Sequence, residues 1–372
     1  MSILSGLRVL EVSAFVAAPL GGATLAGMGA DVIRVDPIGG GVDRDRWPLH
    51  DGRSLYWAGL NQGKRSVTLD ARSETGRELL AGLAAAVGTV LTNLPGDALS
   101  WEALAQRRPD LVLVAITGNR DGTAAVDYTV NAAAGWPFVT GPAALDGPVN
   151  HVLPAWDVAT GFLAAAALLA ADRHRRLSGA GQAVAISLAD VALAVTAHLG
   201  AVAEAALEPE PRPRLGNDTY GTLGRDFRTR DGRHLMALAL TPRQWRSLCA
   251  AVGAEFPPEF AREEVRFERR AEVWAVLEPW VGTRTLAEVG EVFDRHQVLW
   301  GPYRTFKQLV AEDARVARDP MSIPSPVQFG AAGSPPPRRA PELGEHTDEV
   351  LREVLGLDPA EIQRLRTNKV VG

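Results

Sequence analysis

Two short apolar runs, Leu7–Val12 (LRVLEV) and Asp31–Val35 (DVIRV), constrain what this chain can fold into. Rich in leucine, valine and isoleucine, they read as strands, and the small residues that follow the first run through Met28 read as a helix. A crossover of that length between two apolar strands implies a parallel βαβ unit. Further strands are expected at Arg65–Leu69, Thr89–Thr92, Leu111–Ile116 and Gln182–Ile186, with helices at Ser73–Ala86 and Val158–Arg173. Gly179 and Gly181 supply a stop for the second of these helices. The fold class is α/β, opening on a Rossmann-like layer.

Two proline-rich stretches, 206–217 (ALEPEPRPRLGN) and 324–344 (PSPVQFGAAGSPPPRRAPELG), have the composition of stiff linkers. They divide the chain into residues 1–205, the first part of a large domain; residues 218–323, a smaller inserted α+β domain; and residues 345–372, which return to the large domain. The small domain is expected to hold strands Asp226–Arg230 and His234–Leu240, with helices Pro242–Val252, Arg269–Val281 and Leu286–His296. The last piece, Glu345–Leu365, reads as an amphipathic helical stretch too short to build a core alone.

Lysine plus arginine number 39 against 44 aspartates plus glutamates, a net charge of −5 that offers no electrostatic footprint for nucleic acid. The single cysteine, Cys249, can form neither an intrachain disulfide nor a multi-cysteine zinc site, and no metal site is expected. The longest strongly apolar stretch, Gly161–Ala171, falls short of the ~20 residues a membrane span needs, so no membrane association is expected. The N-terminus shows no leader pattern, and the expected location is the cytoplasm. Neither a Walker loop nor a Gly-x-Ser-x-Gly elbow is present.

Four segments could carry chemistry. Gly39-Gly40-Gly41 follows the second strand, as a ligand loop or a connector, and is not the dinucleotide fingerprint, which belongs after the first strand. Asn61–Ser66 sets Lys64 and Arg65 beside Gly63, as a phosphate-binding turn or a solvated strand entry. Asn93-Leu94-Pro95-Gly96 ends an apolar strand and could line a ligand. In Asn150–Gly161, Asp157 stands just before an alanine-rich helix, either as its N-cap or as a nucleophile whose ionised form the helix N-terminus favours. His151 reads as a hydrogen-bonding histidine with no second histidine spaced for a metal.

Taken in order, LSGLRVLEVSAFVAAPLGGATLAGMGADVIRVD, NQGKRSVTLDAR, WDVATG, RRLSGAGQAVAISLADVAL and LGEHTDEVL resemble the family III acyl-CoA transferases over nearly the whole chain. That resemblance implies a Rossmann-like large domain built from both chain ends, a small inserted domain, and two subunits interlocked as a homodimer. It implies an aspartyl nucleophile at Asp157, and a CoA site lined by Phe15, Val16, Asn93 and Leu94, with CoA a part of the substrate and no permanently bound cofactor. SAFVAAPLGG, DPIGGG, LYWAGLNQGKRS, VDYTVN, VNHVLPAWD and GRDF further resemble members that move CoA between the two carboxyls of one mesaconyl-CoA molecule. The expected partners are thus an acyl-CoA and a dicarboxylate, with intermolecular CoA transfer, racemisation and non-catalytic acyl-CoA binding as competing activities. Racemases of this superfamily carry a histidine where this chain has Val126, and the cation that often meets the CoA adenine is replaced around Pro37-Ile38. A free carboxylate on the acyl group calls for a nearby arginine or amide, for which Arg46, Asn119, Arg120 and Asn150, with His151 beside them, are the candidates.

Overall fold

The structure is a computed structural model that describes residues 1–372 apart from Pro95, Arg318, Pro320, Ser322 and Ser334. It divides into two compact units, residues 1–134, 151–204 and 318–372 in the first and residues 135–150 and 205–317 in the second.

The first unit is built on a parallel sheet of six strands: β1 (Arg8–Val12), β2 (Asp31–Asp36), β3 (Arg65–Thr68), β4 (Thr89–Thr92), β5 (Val112–Thr117) and β6 (Gln182–Ser187). Their spatial order is β3-β2-β1-β4-β5-β6, and every neighbouring pair is parallel. Leu10 lies opposite both Ile33 and Val90, so the centre of the sheet is a continuous apolar layer. Strand order reverses between β1 and β4, and in open α/β sheets the carboxyl edge at such a reversal is where ligands bind.

Three helices of this unit position the site: α1 (Ala17–Gly27), α2 (Asp127–Ala133) and α3 (Ala155–Ser178). The sequence places the start of α3 at Val158 and its end at Arg173, but the helix runs from Ala155 to Ser178. It continues past Arg173 because Asp172 pairs with Arg175 and with Arg176 (2.6 Å to Arg176 Nε), three and four residues on. By length and composition α3 could cross a bilayer, which the sequence reading did not anticipate, yet here it packs against α1 and β5. That contact is close: a Cβ on Gly161 would lie 2.7 Å from the Ala17 carbonyl oxygen, and one on Gly21 would lie 3.1 Å from the Gly161 oxygen.

The chain's last residues close the same unit. Instead of one helical stretch there are two helices, Thr347–Leu355 and Pro359–Thr367, broken at Gly356, whose φ of 72° ends the first. Val350, Leu351, Ile362 and Val371 join Leu69 and Leu80 in one buried cluster, and Leu69 bridges to Val371.

The second unit carries an antiparallel sheet of β7 (Leu223–Arg228), β8 (His234–Ala239) and β9 (Leu299–Pro302), with β8 central. Aromatic side chains dominate its core, including Trp245, Phe260, Trp274 and Phe293. Residues 135–150, which the sequence places in the large domain, group with this unit, where the Arg214 guanidinium donates to the Leu145 and Gly147 carbonyls at 2.7 Å each. Cys249 is half-buried here, and burial pushes its thiol up to about 11, which leaves it unreactive.

The α1–α3 contact predicts that Gly161→Val, one turn beyond Asp157, destabilises the fold by about 1–3 kcal/mol through overpacking. Urea unfolding of the variant against the native chain measures this, and an unchanged midpoint would show that α1 and α3 separate freely.

Candidate active site

A cleft of about 930 Å³ opens at the carboxyl edge of the parallel sheet. Phe15, Val16 and Ala17 line it after β1, Thr92, Asn93 and Leu94 after β4, Ala115 to Gly118 at the end of β5, and Leu188 after β6. Asp157 lines the same cleft from the first turn of α3.

Asp157 is not the N-cap. Pro154 holds that position without a side-chain hydrogen bond, and Asp157 is the third helical residue. The capping oxygen comes from Asp127, at the N-terminus of α2 and only 2% exposed. Its Oδ2 accepts the backbone N–H of Trp156 at 2.7 Å and that of Asp157 at 3.1 Å. Its Oδ1 accepts from His151 Nε2 at 2.7 Å. The His151 ring sits edge-on to Tyr128, with ring centres 5.9 Å apart, and the Trp156 indole donates to Asn131 Oδ1 at 3.1 Å. A carboxylate that takes both exposed helix donors frees the neighbouring aspartate from capping.

The Asp157 carboxylate consequently accepts no hydrogen bond from the described residues, although it is half-buried. Burial pushes it up to about 6, the charge of Asp127 adds to that rise, and the Arg46 guanidinium opposes it. It is a carboxylate of raised energy facing a cavity, which is the condition of a nucleophile rather than of a structural cap. Tyr56 also lines the cleft, and burial pushes its phenol up to about 12, so it stays neutral at physiological pH.

The first-strand loop is held from two sides. Asn93 accepts the Ala14 N–H at 2.9 Å and donates to the Ala14 carbonyl at 2.8 Å, while Asp43 accepts the Phe15 N–H at 3.0 Å. Phe15 is thereby kept at φ 64°, a left-handed conformation that costs a bulky side chain energy and presents its ring to the cleft. Asp43 is fixed by the fully buried Arg34, which donates to it at 3.1 Å, to Asp36 at 2.9 Å, to Asn61 Oδ1 at 3.0 Å and to the Ser13 carbonyl at 3.1 Å.

Of the sequence-derived candidates, Asp157, Phe15, Val16, Asn93, Leu94 and Arg46 converge on the cleft. Pro95, in the Asn93–Gly96 turn, lies outside the described residues. Lys64 and Arg65 do not reach the cleft. Lys64 is buried with its ammonium on Glu11 at 2.8 Å, Asn61 at 2.9 Å and the Pro19 carbonyl at 2.8 Å, and desolvation lowers it to about 8. Arg65 pairs with Asp31, Glu349 and Glu353. Arg120 is exposed on Asp190 at 2.8 Å, the Asn119 amide donates to Thr123 Oγ1 at 2.9 Å, and Asn150 falls in the second unit. The triple-glycine loop does not line the cleft; Gly39 and Gly40 take φ of 91° and 101°, and a Cβ on Gly40 would meet Arg44 at 2.7 Å. Sequence reasoning gave no role to Asp127 or Tyr56. The resembling segments VDYTVN and LYWAGLNQGKRS contain these two residues, with no role attached to either.

Comparison with known proteins follows the same line. The sequence model of CoA-transferase family III matches residues 4–347. A 2-methylfumaryl-CoA isomerase of Chloroflexus aurantiacus is 50% identical over 99% of this chain and 98% of its own. A succinyl-CoA:mesaconate CoA-transferase of Haloarcula marismortui is 30% identical over 96% of this chain and 98% of its own. Among solved structures, a CAIB/BAIF family protein from Brucella suis superposes with a TM-score of 0.80 at 25% identity, covering 95% of this chain and 99% of that one.

The raised Asp157 carboxyl carries a stability consequence. An unfolded aspartate ionises near 3.9, so holding it at about 6 leaves the folded state carrying a cost above pH ~6 that is absent below pH ~4. Asp157→Asn is expected to stabilise the fold by about 1–2 kcal/mol at pH 8, after discounting for solvent screening, and by nothing at pH 4. Denaturant unfolding at the two pH values checks it, and equal effects at both would contradict the assignment.

Proposed function

This chain belongs to CoA-transferase family III, and from that membership we propose that it moves CoA from one carboxyl of mesaconyl-CoA to the other within a single substrate molecule. It is an enzyme of CoA thioesters, and the reading takes its substrate from the Chloroflexus isomerase, half of whose residues it shares. The observation that carries the mechanism is the Asp157 carboxylate, which accepts no hydrogen bond from the described residues and faces the cleft.

In this reading an Asp157 oxygen attacks the C1 thioester carbon, the carbon–sulfur bond breaks, and a mixed anhydride and CoA thiolate result. The thiolate attacks the Asp157 carbonyl, giving an aspartyl-CoA thioester and free mesaconate. Mesaconate turns and attacks that thioester through its C4 carboxylate, releasing the thiolate again, which then takes the C4 carbonyl and restores Asp157. No water and no net proton enter the cycle, and water would only hydrolyse the anhydride. Ionised Asp157 is the required form, available above pH ~6. Phe15, Val16, Asn93 and Leu94 hold the pantetheine arm, while Lys64 and Arg65 act in the scaffold. Val126 presents only an isopropyl group to the cleft, which disfavours a proton-moving racemase. The inserted unit and the interlocked homodimer belong to the same proposal through the family resemblance.

The test is incubation of the purified protein with mesaconyl-C1-CoA, followed by chromatography of the regioisomers and mass spectrometry of the Asp157 peptide. We expect the C4 isomer and a CoA adduct on that peptide, both lost in Asp157→Ala. Turnover that appears only after adding a second acid would instead match the activity of the Haloarcula relative. The rate should rise as pH passes ~6, and Asp127→Asn, by removing a negative neighbour, should move that limb to lower pH.

A further inference from the structure

Arg46 is the only arginine, lysine or histidine among the described residues that line the cleft. Its guanidinium makes no hydrogen bond or ion pair with any described residue. It lies instead over two aromatic rings, 5.4 Å from the centre of Phe15 and 5.4 Å from that of Tyr56. Its charge reaches Asp157, whose carboxyl it pulls down, and Tyr56, whose phenol it also pulls down. Its main chain is fixed: the Arg46 N–H donates to the Asp43 carbonyl at 3.3 Å and its carbonyl accepts from Ser54 Oγ at 2.5 Å. Asp43 is the same residue that holds the Phe15 N–H, so Arg46 and Phe15 ride on one support.

A guanidinium has five N–H donors in a planar fork shaped for a carboxylate. Of the neighbouring arginines, Arg34 is committed to Asp36 and Asp43 and Arg65 to Asp31, Glu349 and Glu353, while Arg44 lies over the Trp57 ring at 5.3 Å and does not line the cleft. Two aromatic faces fix the Arg46 plane without occupying its donors. The rival sequence candidates are engaged elsewhere: Arg120 on Asp190, Asn119 on Thr123 and His151 on Asp127.

We infer that Arg46 is the specificity-determining residue of this enzyme, holding the carboxylate of the acyl group that does not carry CoA. The inference rests on the reading of Asp157 as the site of acyl-CoA attack. It adds the residue that selects an acyl group with a second, ionised carboxyl. Both regioisomers of mesaconyl-CoA leave one carboxylate free, and a single cation serves each in turn. When the released dicarboxylate reverses, the end that Arg46 held becomes the attacking end, and the end that attacked before takes its place. One anchor therefore suffices for both halves of an end-for-end exchange, and acyl groups with one carboxyl have nothing to offer it.

The experiment compares mesaconyl-C1-CoA with 2-methylcrotonyl-CoA, in which a methyl group replaces the distant carboxylate. Single-turnover formation of the Asp157 adduct is followed by mass spectrometry for the native chain, Arg46→Gln and Arg46→Lys. The native chain should prefer the dicarboxylate substrate by about 100-fold, the scale of one charged hydrogen-bonded partner. Arg46→Gln should collapse that ratio to near one, with Arg46→Lys between the two. Because the ratio is taken within each variant, partial unfolding cancels from it. A native ratio near one, or an undiminished ratio in Arg46→Gln, overturns the inference. The native chain's conversion of C1 to C4 isomer is scored separately: a chain that discriminates through Arg46 yet makes no isomer would refute the intramolecular reaction and leave the role of Arg46 standing.

Discussion

The active-site geometry depends on one buried carboxylate, that of Asp127. An α-helix begins with N–H groups that lack partners, and an aspartate in its first turn ordinarily turns back to satisfy them. Here Asp127 comes from a different helix and takes the N–H groups of Trp156 and Asp157 on one oxygen while His151 holds the other. The donors near Asp157 are thereby satisfied from outside, and its own carboxylate is left facing the cleft. Asp127 also contributes its charge, which raises the Asp157 carboxyl further. One side chain orders the helix start and keeps the proposed nucleophile, Asp157, in a raised state.

A second buried network does comparable work beneath the first-strand loop. Arg34 gathers Asp36 and Asp43, and Lys64 gathers Glu11 and Asn61. Removing one member of such a set would strand an opposing charge in the interior, which costs more than the pair gains. The network is therefore rigid, and its rigidity keeps Phe15 at a positive φ and fixes the main chain of Arg46 through Asp43. Strain and positioning at the cleft are thus carried by ion pairs that never touch it.

Much of the frame was readable from local pattern. The parallel sheet follows from the strand periodicity and from crossover lengths that only parallel pairing satisfies. At Asp157 the local pattern left cap and nucleophile open, and only the family resemblance pointed to the second. The roles of Lys64 and Arg65 were not readable, because adjacent cations beside a glycine look alike whether they meet a phosphate or, as here, Glu11 and Asp31. Asp127 escaped for the converse reason: the N–H groups it accepts belong to residues 29 and 30 positions later, and no local pattern encodes such a pairing. The bounds of α3 were misjudged where Asp172 and its arginines extend a helix that its apolar run alone would end.

The chemistry also explains what the cleft lacks. Exchange of a thioester between carboxylates proceeds through anhydride and thioester intermediates with no net proton transfer, so it requires a nucleophile, an anchor and protection from water. Val126, Leu94, Val152 and Leu188 line the cleft with apolar side chains, and Arg46 is the one cation among the described residues that line it. A general base beside Asp157 would have no proton to move in the proposed steps, and the His151 imidazole is bound to Asp127. Burial is the first cause of the raised Asp157 carboxyl, ahead of the charge of Asp127. In the proposed cycle the burial that raises this carboxyl is also what shields the anhydride from water, and a polar substitution that admitted water would weaken both together.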